Sequence, residues 1–152
     1  MSDFNIEIKF DGDSEGYITN ECPFCESQFK LKIDEMQHDD YNVDELFCPY
    51  CGLKDERNHF FTKEQVKHIE KIAENQAVEM INREFSKMTK SFNNNGVIKM
   101  DFKPLQKENV PALAETDGQE QEFICGNCQR HSRILYNAGA SKAFCAYCGV
   151  DL

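Results

Sequence analysis

Along this chain the spacing of apolar residues switches between the period of a strand and that of a helix. At the start Phe4, Ile6, Ile8 and Phe10 alternate with Asn5, Glu7 and Lys9, the period of two that a half-buried strand requires. Asp11-Gly12 is a turn signal, and a second strand is expected through Tyr17 to Thr19, closing a hairpin with the first. From Phe61 the steps become three and four: Val66, Ile69, Ile72, Ala73, Ala77, Met80, Ile81, Phe85, Met88 and Phe92 lie on one stripe of an amphipathic helix. Thr62 and Gln65 have capping-box spacing, Phe61 can staple onto Val66, and Asn93-Asn94-Asn95-Gly96 tolerates the left-handed backbone that ends helices. So bounded, the helix runs for about 30 residues, or roughly 45 Å. Ile98, Met100 and Phe102 then alternate with Lys99, Asp101 and Lys103 up to Pro104, which predicts one more strand, at a sheet edge. Residues 105–121, with Pro111 and the start of an acidic, Gln-rich run from Glu115 to Glu122, have little to bury and read as a linker.

The cysteines add chemistry to this outline. All 8 fall into Cys-x-x-Cys pairs: Cys22/Cys25, Cys48/Cys51, Cys125/Cys128 and Cys145/Cys148. The loops between inner cysteines hold 22 residues in the first set and 16 in the second, a pattern expected of four-thiolate zinc sites. Two thiolates three residues apart on a tight turn reach one ion at about 2.3 Å, and two such turns complete a tetrahedron. Four soft anionic sulfurs also favour zinc over hard cations. The two sets read as copies. Phe47-Cys48-Pro49-Tyr50-Cys51-Gly52 recurs as Phe144-Cys145-Ala146-Tyr147-Cys148-Gly149 with one difference, and each first pair precedes a candidate strand (29–33 and 132–136). Gly52 and Gly149 are expected at positive φ, where backbone N–H groups approach the sulfurs.

These motifs resemble the zinc-ribbon family, whose members carry two Cys-x-x-Cys knuckles on hairpins, the second often written Phe-Cys-Pro-x-Cys-Gly. The resemblance covers residues 17–54 and 121–152, under half of the chain. It implies one site from Cys22, Cys25, Cys48 and Cys51 and another from Cys125, Cys128, Cys145 and Cys148, two structural Zn²⁺ ions per chain. It says little of function, since similar ribbons serve transcription factors, polymerase subunits, ribosomal proteins and bacterial adaptors. The fold class expected is α+β: two small β zinc ribbons flanking a long amphipathic helix, with short strands at the N-terminus and after the helix. The corresponding boundaries are 1–60, 61–96, 97–120 and 121–152.

Charge and composition narrow the partners. The net charge is −10, and residues 1–60 alone hold 15 acids against 5 bases. Such a surface repels polyanions and acidic membranes, so nucleic acid is disfavoured as a partner. Nothing approaches 18 consecutive apolar residues, and Met1-Ser2-Asp3 opens no basic, apolar leader, so no membrane role and a soluble, cytoplasmic protein are expected. In that compartment thiols stay reduced, which favours metal over a disulfide framework.

Cys48-Pro49-Tyr50-Cys51 is the tetrapeptide of glutaredoxin active sites, but that chemistry needs its first cysteine at a helix start, and Gly52 follows here. His131 is placed near Cys128, yet four thiolates already complete that set. Arg130, His131 and Arg133, with Tyr136 and Tyr147 nearby in sequence, form the one basic cluster of the ribbons and the best candidate for touching phosphates. Asp34 to Glu45 carries six acids and no base, the composition of an exposed loop or of a docking surface for a basic partner. A 45 Å helix stripe exceeds what a ribbon can cover, so a protein partner, or a homodimer through helix 62–92, is expected to cover the remainder. No nucleophile–base pair or phosphate loop is present, so the expectation is not an enzyme but a zinc-binding adaptor, with a transcription-linked or nucleic-acid-binding regulator as the alternative.

Overall fold

The computed structural model describes residues 8–37, 43–96, 99–115, 117–135 and 142–152. It is a mixed helix and sheet fold with one long helix and small antiparallel sheets. Two compact units emerge: Lys9–Gln65 together with Leu113–Leu152, and Val66–Ala112. Both cysteine quartets belong to the first.

In that unit β1 (Tyr17–Glu21) and β2 (Gln28–Lys32) form a hairpin whose turn is the first Cys-x-x-Cys pair. A single helical turn, α1 (Ile33–Met36), follows β2. β3 (Glu45–Phe47) and β4 (Lys54–Glu56) bracket the second pair, and a 3₁₀ turn (Arg57–Phe60) inserts the fully buried Phe60 edge-on against Phe29 at 6.0 Å. Far along the chain, β5 (Gln121–Ile124) and β6 (His131–Ile134) make a second hairpin around Cys125 and Cys128. The two hairpins share one sheet of order β1-β2-β6-β5, joined by antiparallel pairing of Lys30 with Arg133 and Leu31 with Ser132. Ile18, Phe29, Leu31, Ser132 and Ile134 are buried on one face of that sheet, which packs with Leu46 and Phe60 into the core.

The copies are related by a pseudo-twofold axis. Adding 103 to a residue of the first hairpin gives its equivalent in the second (Cys22 to Cys125), and this carries the pair Lys30↔Arg133 onto itself. The second knuckles are offset by 97, six fewer, which matches the 22- and 16-residue inner loops. The bridge Phe144↔Asp151 repeats Phe47↔Lys54 of β3 and β4 at that offset. At the axis sits a buried charge cluster. The Asp13 carboxylate, fully buried, takes Lys30 Nζ at 3.1 Å and the N–H groups of Tyr17 and Glu15 at 2.9 and 3.1 Å, with Arg133 at 3.9 Å. Arg133 also pairs with Glu15 and lies over the Tyr17 ring at 4.1 Å.

α2 (Lys63–Asn94) is a 32-residue helix. Its capping box forms as the sequence predicts: Thr62 N–H donates to Gln65 Oε1 (2.9 Å), and Gln65 N–H to Thr62 Oγ1 (3.2 Å). Gln65 Nε2 also donates to Thr19 O at 2.8 Å, tying the cap to β1. Termination falls at Asn94 with Gly96 at φ +71°, inside the run of asparagines and glycine.

Two expected strands are corrected. Of the strand over 4–10, residues 4–7 lie outside the described residues, and 8–10 are not in a ladder; the Phe10 ring instead packs at a tilt of 39° against Phe61, 5.8 Å between centroids. β1 pairs with β2 because the knuckle turn joins them directly, so no hairpin closes onto residues 8–10. The strand after the helix is likewise absent among the described residues, Ile98 lying outside them. Residues 100–108 instead run back along α2, held by asparagine side chains. Asn93, Asn82 and Asn75 each hold both the N–H and the C=O of one residue: Met100 (3.0 and 3.3 Å), Leu105 (2.8 and 2.8 Å) and Glu108 (2.9 and 2.7 Å). Asn75 to Asn93 is 18 residues, about five turns, so the clamps form one line on the helix. Phe102 stacks on Phe85 at 5.4 Å beside that line. The alternation of Met100 and Phe102 is real, but side-chain amides rather than a neighbouring strand satisfy this backbone.

Candidate metal centres

Each knuckle repeats one backbone device. The N–H of the first cysteine donates to the C=O five residues on: Cys22 to Ser27, Cys48 to Leu53, Cys125 to Arg130, Cys145 to Val150. The N–H four residues on returns to the cysteine's C=O, from Glu26, Gly52, Gln129 and Gly149 at 2.9–3.0 Å. All four of those residues take positive φ, +57° and +61° at Glu26 and Gln129, +72° and +74° at Gly52 and Gly149. The glycines were legible from sequence. Glu26 and Gln129 were not, although their place immediately after a second cysteine is the signal that finds them.

The turns aim backbone N–H groups at sulfur. Phe24 and Cys25 donate to Cys22 Sγ at 3.4 and 3.5 Å, Tyr50 and Cys51 to Cys48 Sγ at 3.4 and 3.5 Å, and Tyr147 to Cys145 Sγ at 3.4 Å. Such donors stabilise thiolate and orient it. Cys22, Cys25, Cys48 and Cys51 converge, with Cys22–Cys51 and Cys25–Cys48 sulfurs 3.7 and 3.6 Å apart. Cys125, Cys128, Cys145 and Cys148 converge likewise, with Cys125–Cys148 and Cys128–Cys145 both at 3.6 Å. In each group all four sulfurs lie within 4.8 Å of one another. These spacings far exceed a disulfide bond of about 2.05 Å. They approach the edge of a tetrahedron, about 3.8 Å, around an ion with metal–sulfur bonds of about 2.3 Å. The eight cysteines singled out in the sequence are thus brought together as two quartets that could hold metal ions.

Within each quartet the environments differ. Burial pushes the Cys48 and Cys145 thiols well above their ordinary value despite two backbone donors each, and burial also raises Cys22 and Cys128. At Cys25 burial opposes ionisation, but hydrogen bonds from Ser27 outweigh it and bring the thiol down to about 7. At Cys148 burial is outweighed by the Val150 backbone and the Asn127 amide, 3.6 Å from Sγ, again bringing the thiol to about 7. The metal-free quartet therefore mixes easily ionised and reluctant thiols, and a cation is what favours the thiolate form at all four positions. Cys48 sits in a knuckle with no helix after it and a raised pKa, so the helix-start geometry that activates a redox cysteine is missing there.

The neighbouring candidates land elsewhere. His131 is not at the second quartet's metal position; its N–H donates to Glu35 Oε2 (2.7 Å) and its Nδ1 meets Glu35 Oε1 at 2.5 Å. Arg130 stacks over the Tyr147 ring at 4.7 Å, Arg133 is held in the Asp13 cluster, and Tyr136 lies outside the described residues. Of the acidic stretch, residues 38–42 lie outside the described residues, Glu35 is taken by His131, and Glu45 pairs with Lys54 at 3.1 Å in the open. No described helix is long and apolar enough to cross a membrane.

No family model, curated protein or solved structure matches this chain.

Proposed function

We propose that this protein is a non-catalytic interaction module stapled by two structural zinc ions. The observation that carries the reading is the pair of four-sulfur groups at tetrahedral spacing, each on knuckles that direct backbone N–H groups at sulfur. Four thiolates suit zinc among the common divalent ions and leave no open position for a catalytic water. Each zinc would supply on the order of 10 kcal/mol of folding free energy to hairpins too small to stand alone. The reduced thiols this requires fit the cytoplasm.

The interaction role rests on what the zincs do not explain. Ile81, Phe85, Met88 and Phe92 keep 41–48% exposure along α2, an apolar stripe suited to a protein partner or to a second copy of the helix. The nucleic-acid alternative draws less support. Its basic side chains at 130, 131 and 133 are each engaged by Tyr147, Glu35 or the Asp13 cluster, which leaves little basic surface to meet phosphate. Native mass spectrometry with metal analysis tests the proposal. Two zincs per chain are expected, and a single metal or an iron absorption band would sink it. Binding to DNA or RNA at low salt, with a steep salt dependence, would move the assignment to the alternative.

A further inference from the structure

We propose that the two thiolate centres load and lose metal as a coupled pair, through the knuckles that touch across the pseudo-twofold axis; this rests on the metal reading above. The second knuckle of each quartet holds that of the other. Phe47, the residue before Cys48, donates its N–H to the C=O of Ala146, the residue after Cys145, at 2.8 Å. Phe144, before Cys145, donates to the C=O of Pro49, after Cys48, at 2.9 Å. A ligand cysteine of either centre is therefore adjacent in sequence to both ends of this exchange.

The rings repeat it. Phe144 covers Gly52 and Phe47 covers Gly149 so closely that a Cβ on Gly52 would lie 3.1 Å from Phe144 Cε2, and one on Gly149 only 2.8 Å from Phe47 Cδ1. Tyr50, between Cys48 and Cys51, adds a link that has no counterpart at Tyr147. Its hydroxyl accepts from Leu135 N–H and donates to Gln28 O, both at 2.9 Å, so a knuckle of the first centre fastens the chain leaving β6. The Tyr147 hydroxyl is buried with no such hydrogen bond among the described residues.

Coupling needs contacts that exist in one state and not in the other. Here they exist only between ordered knuckles. Without a cation, four clustered sulfurs give the turn nothing to close on. Once one second knuckle relaxes, the carbonyl and glycine supporting the other are withdrawn. Metal at either centre thus orders part of its neighbour, and the effect is reciprocal.

The test is a zinc titration of the metal-free full chain, with bound-metal populations read by native mass spectrometry. At one equivalent, equal independent sites leave about half of the chains singly loaded, whereas a hundredfold coupling leaves about one in ten. The low figure is expected for the wild type. In the Phe47→Ala/Phe144→Ala chain, whose ligands are intact, the singly loaded form should rise toward half while two zincs still bind at saturation. The milder Phe47→Leu/Phe144→Leu chain should fall between. Disabling the second centre by Cys128→Ser/Cys148→Ser should weaken zinc at Cys22, Cys25, Cys48 and Cys51 by at least about tenfold in chelator competition. A wild type that fills to two zincs through a half-populated single form overturns the coupling and leaves the metal reading intact. Unchanged affinity in the Cys128→Ser/Cys148→Ser chain does the same. A wild type that takes up no zinc overturns both.

Discussion

Replacing Asp13 by asparagine is a sharp test of the axis, because it changes charge while keeping shape. The carboxylate is fully buried, the Lys30 side chain opposite it is 5% exposed, and their atoms are 3.1 Å apart. Asparagine can still accept from the Tyr17 and Glu15 N–H groups, so local turn geometry survives. What goes is the negative charge facing a buried ammonium. Removing one partner of a buried ion pair costs about 3–5 kcal/mol, because the remaining charge stays desolvated. The lower end, about 3 kcal/mol, is expected here, since the amide oxygen keeps part of the hydrogen bonding. That is a large share of the roughly 5–15 kcal/mol that holds a typical domain together. Urea unfolding of the zinc-loaded protein, followed by circular dichroism, measures it. The Asp13→Asn/Lys30→Met chain should be less destabilised than the sum of its single changes, because both changes remove the same 3.1 Å contact. A loss below about 1 kcal/mol, the level of an exposed pair, or strict additivity in the double, would show that water reaches this cluster and would refute the reasoning.

Other consequences are as direct. Gly149→Ala should destabilise more than Gly52→Ala, since both need positive φ but the new Cβ meets Phe47 at 2.8 Å against 3.1 Å for Phe144; a loss of about 2 kcal/mol against about 1 is expected in the same unfolding assay, and equal effects would discount the ring contact. Breaking the capping box with Gln65→Ala should cost about 1 kcal/mol and also free Thr19 O, visible as faster amide exchange in the first turn of α2. Asn82→Ala should release the strap around Leu105, raising hydrogen exchange at Leu105 while leaving the β1–β2 ladder protected; unchanged exchange would mean the clamp holds nothing. The exposed His59–Asp55 pair, 2.9 Å apart, raises the His59 pKa and lowers that of Asp55. Its contribution lies between the two: it fades as pH rises through the folded His59 value and again as pH falls through that of Asp55. An NMR titration should show His59 returning toward its ordinary range in the Asp55→Asn chain.

How much of this was legible in the sequence depends on distance along the chain. The knuckles, the glycines after them and the Thr62–Gln65 cap are local devices, and their residues announce them within six positions. The helix was bounded nearly to the residue for the same reason. The strand reading of 98–103 failed because alternation reports only which side chains share a face. It does not say whether a neighbour's backbone or an asparagine amide will satisfy the peptide groups between them. Asn75 and Asn82 carry no local signal, and Asn93 reads only as part of the run that ends the helix, since their meaning lies in residues 7–33 positions away. The axis was further out of reach. Lys30, Asp13 and Arg133 come together only through a strand pairing that joins residues about a hundred apart, and His131 and Arg133 looked like a basic patch until Glu35, Asp13 and Glu15 met them.

Yet the duplication did contain the axis in a form that physics can recover. A hairpin edge such as β2 exposes unpaired backbone groups, and an identical edge is the partner most easily supplied when the module is copied. Antiparallel pairing of equivalent edges is isologous: if residue i of one copy meets j of the other, then j of the first meets i of the second. The reciprocal contacts Phe47 to Gly149 and Phe144 to Gly52, with the exchanged hydrogen bonds beside them, obey that rule. Departures from it are then informative. Among the described residues Tyr50 has its bridge and Tyr147 does not, while Lys30 and Arg133 meet at the axis as different cations sharing one carboxylate. A true homodimer would place two like charges at that point and need two counterions related by symmetry. Joining the copies in one chain lets Asp13, which has no equivalent acid at position 116, serve both. The asymmetry that holds the centre together is therefore available only because the two modules are covalently one.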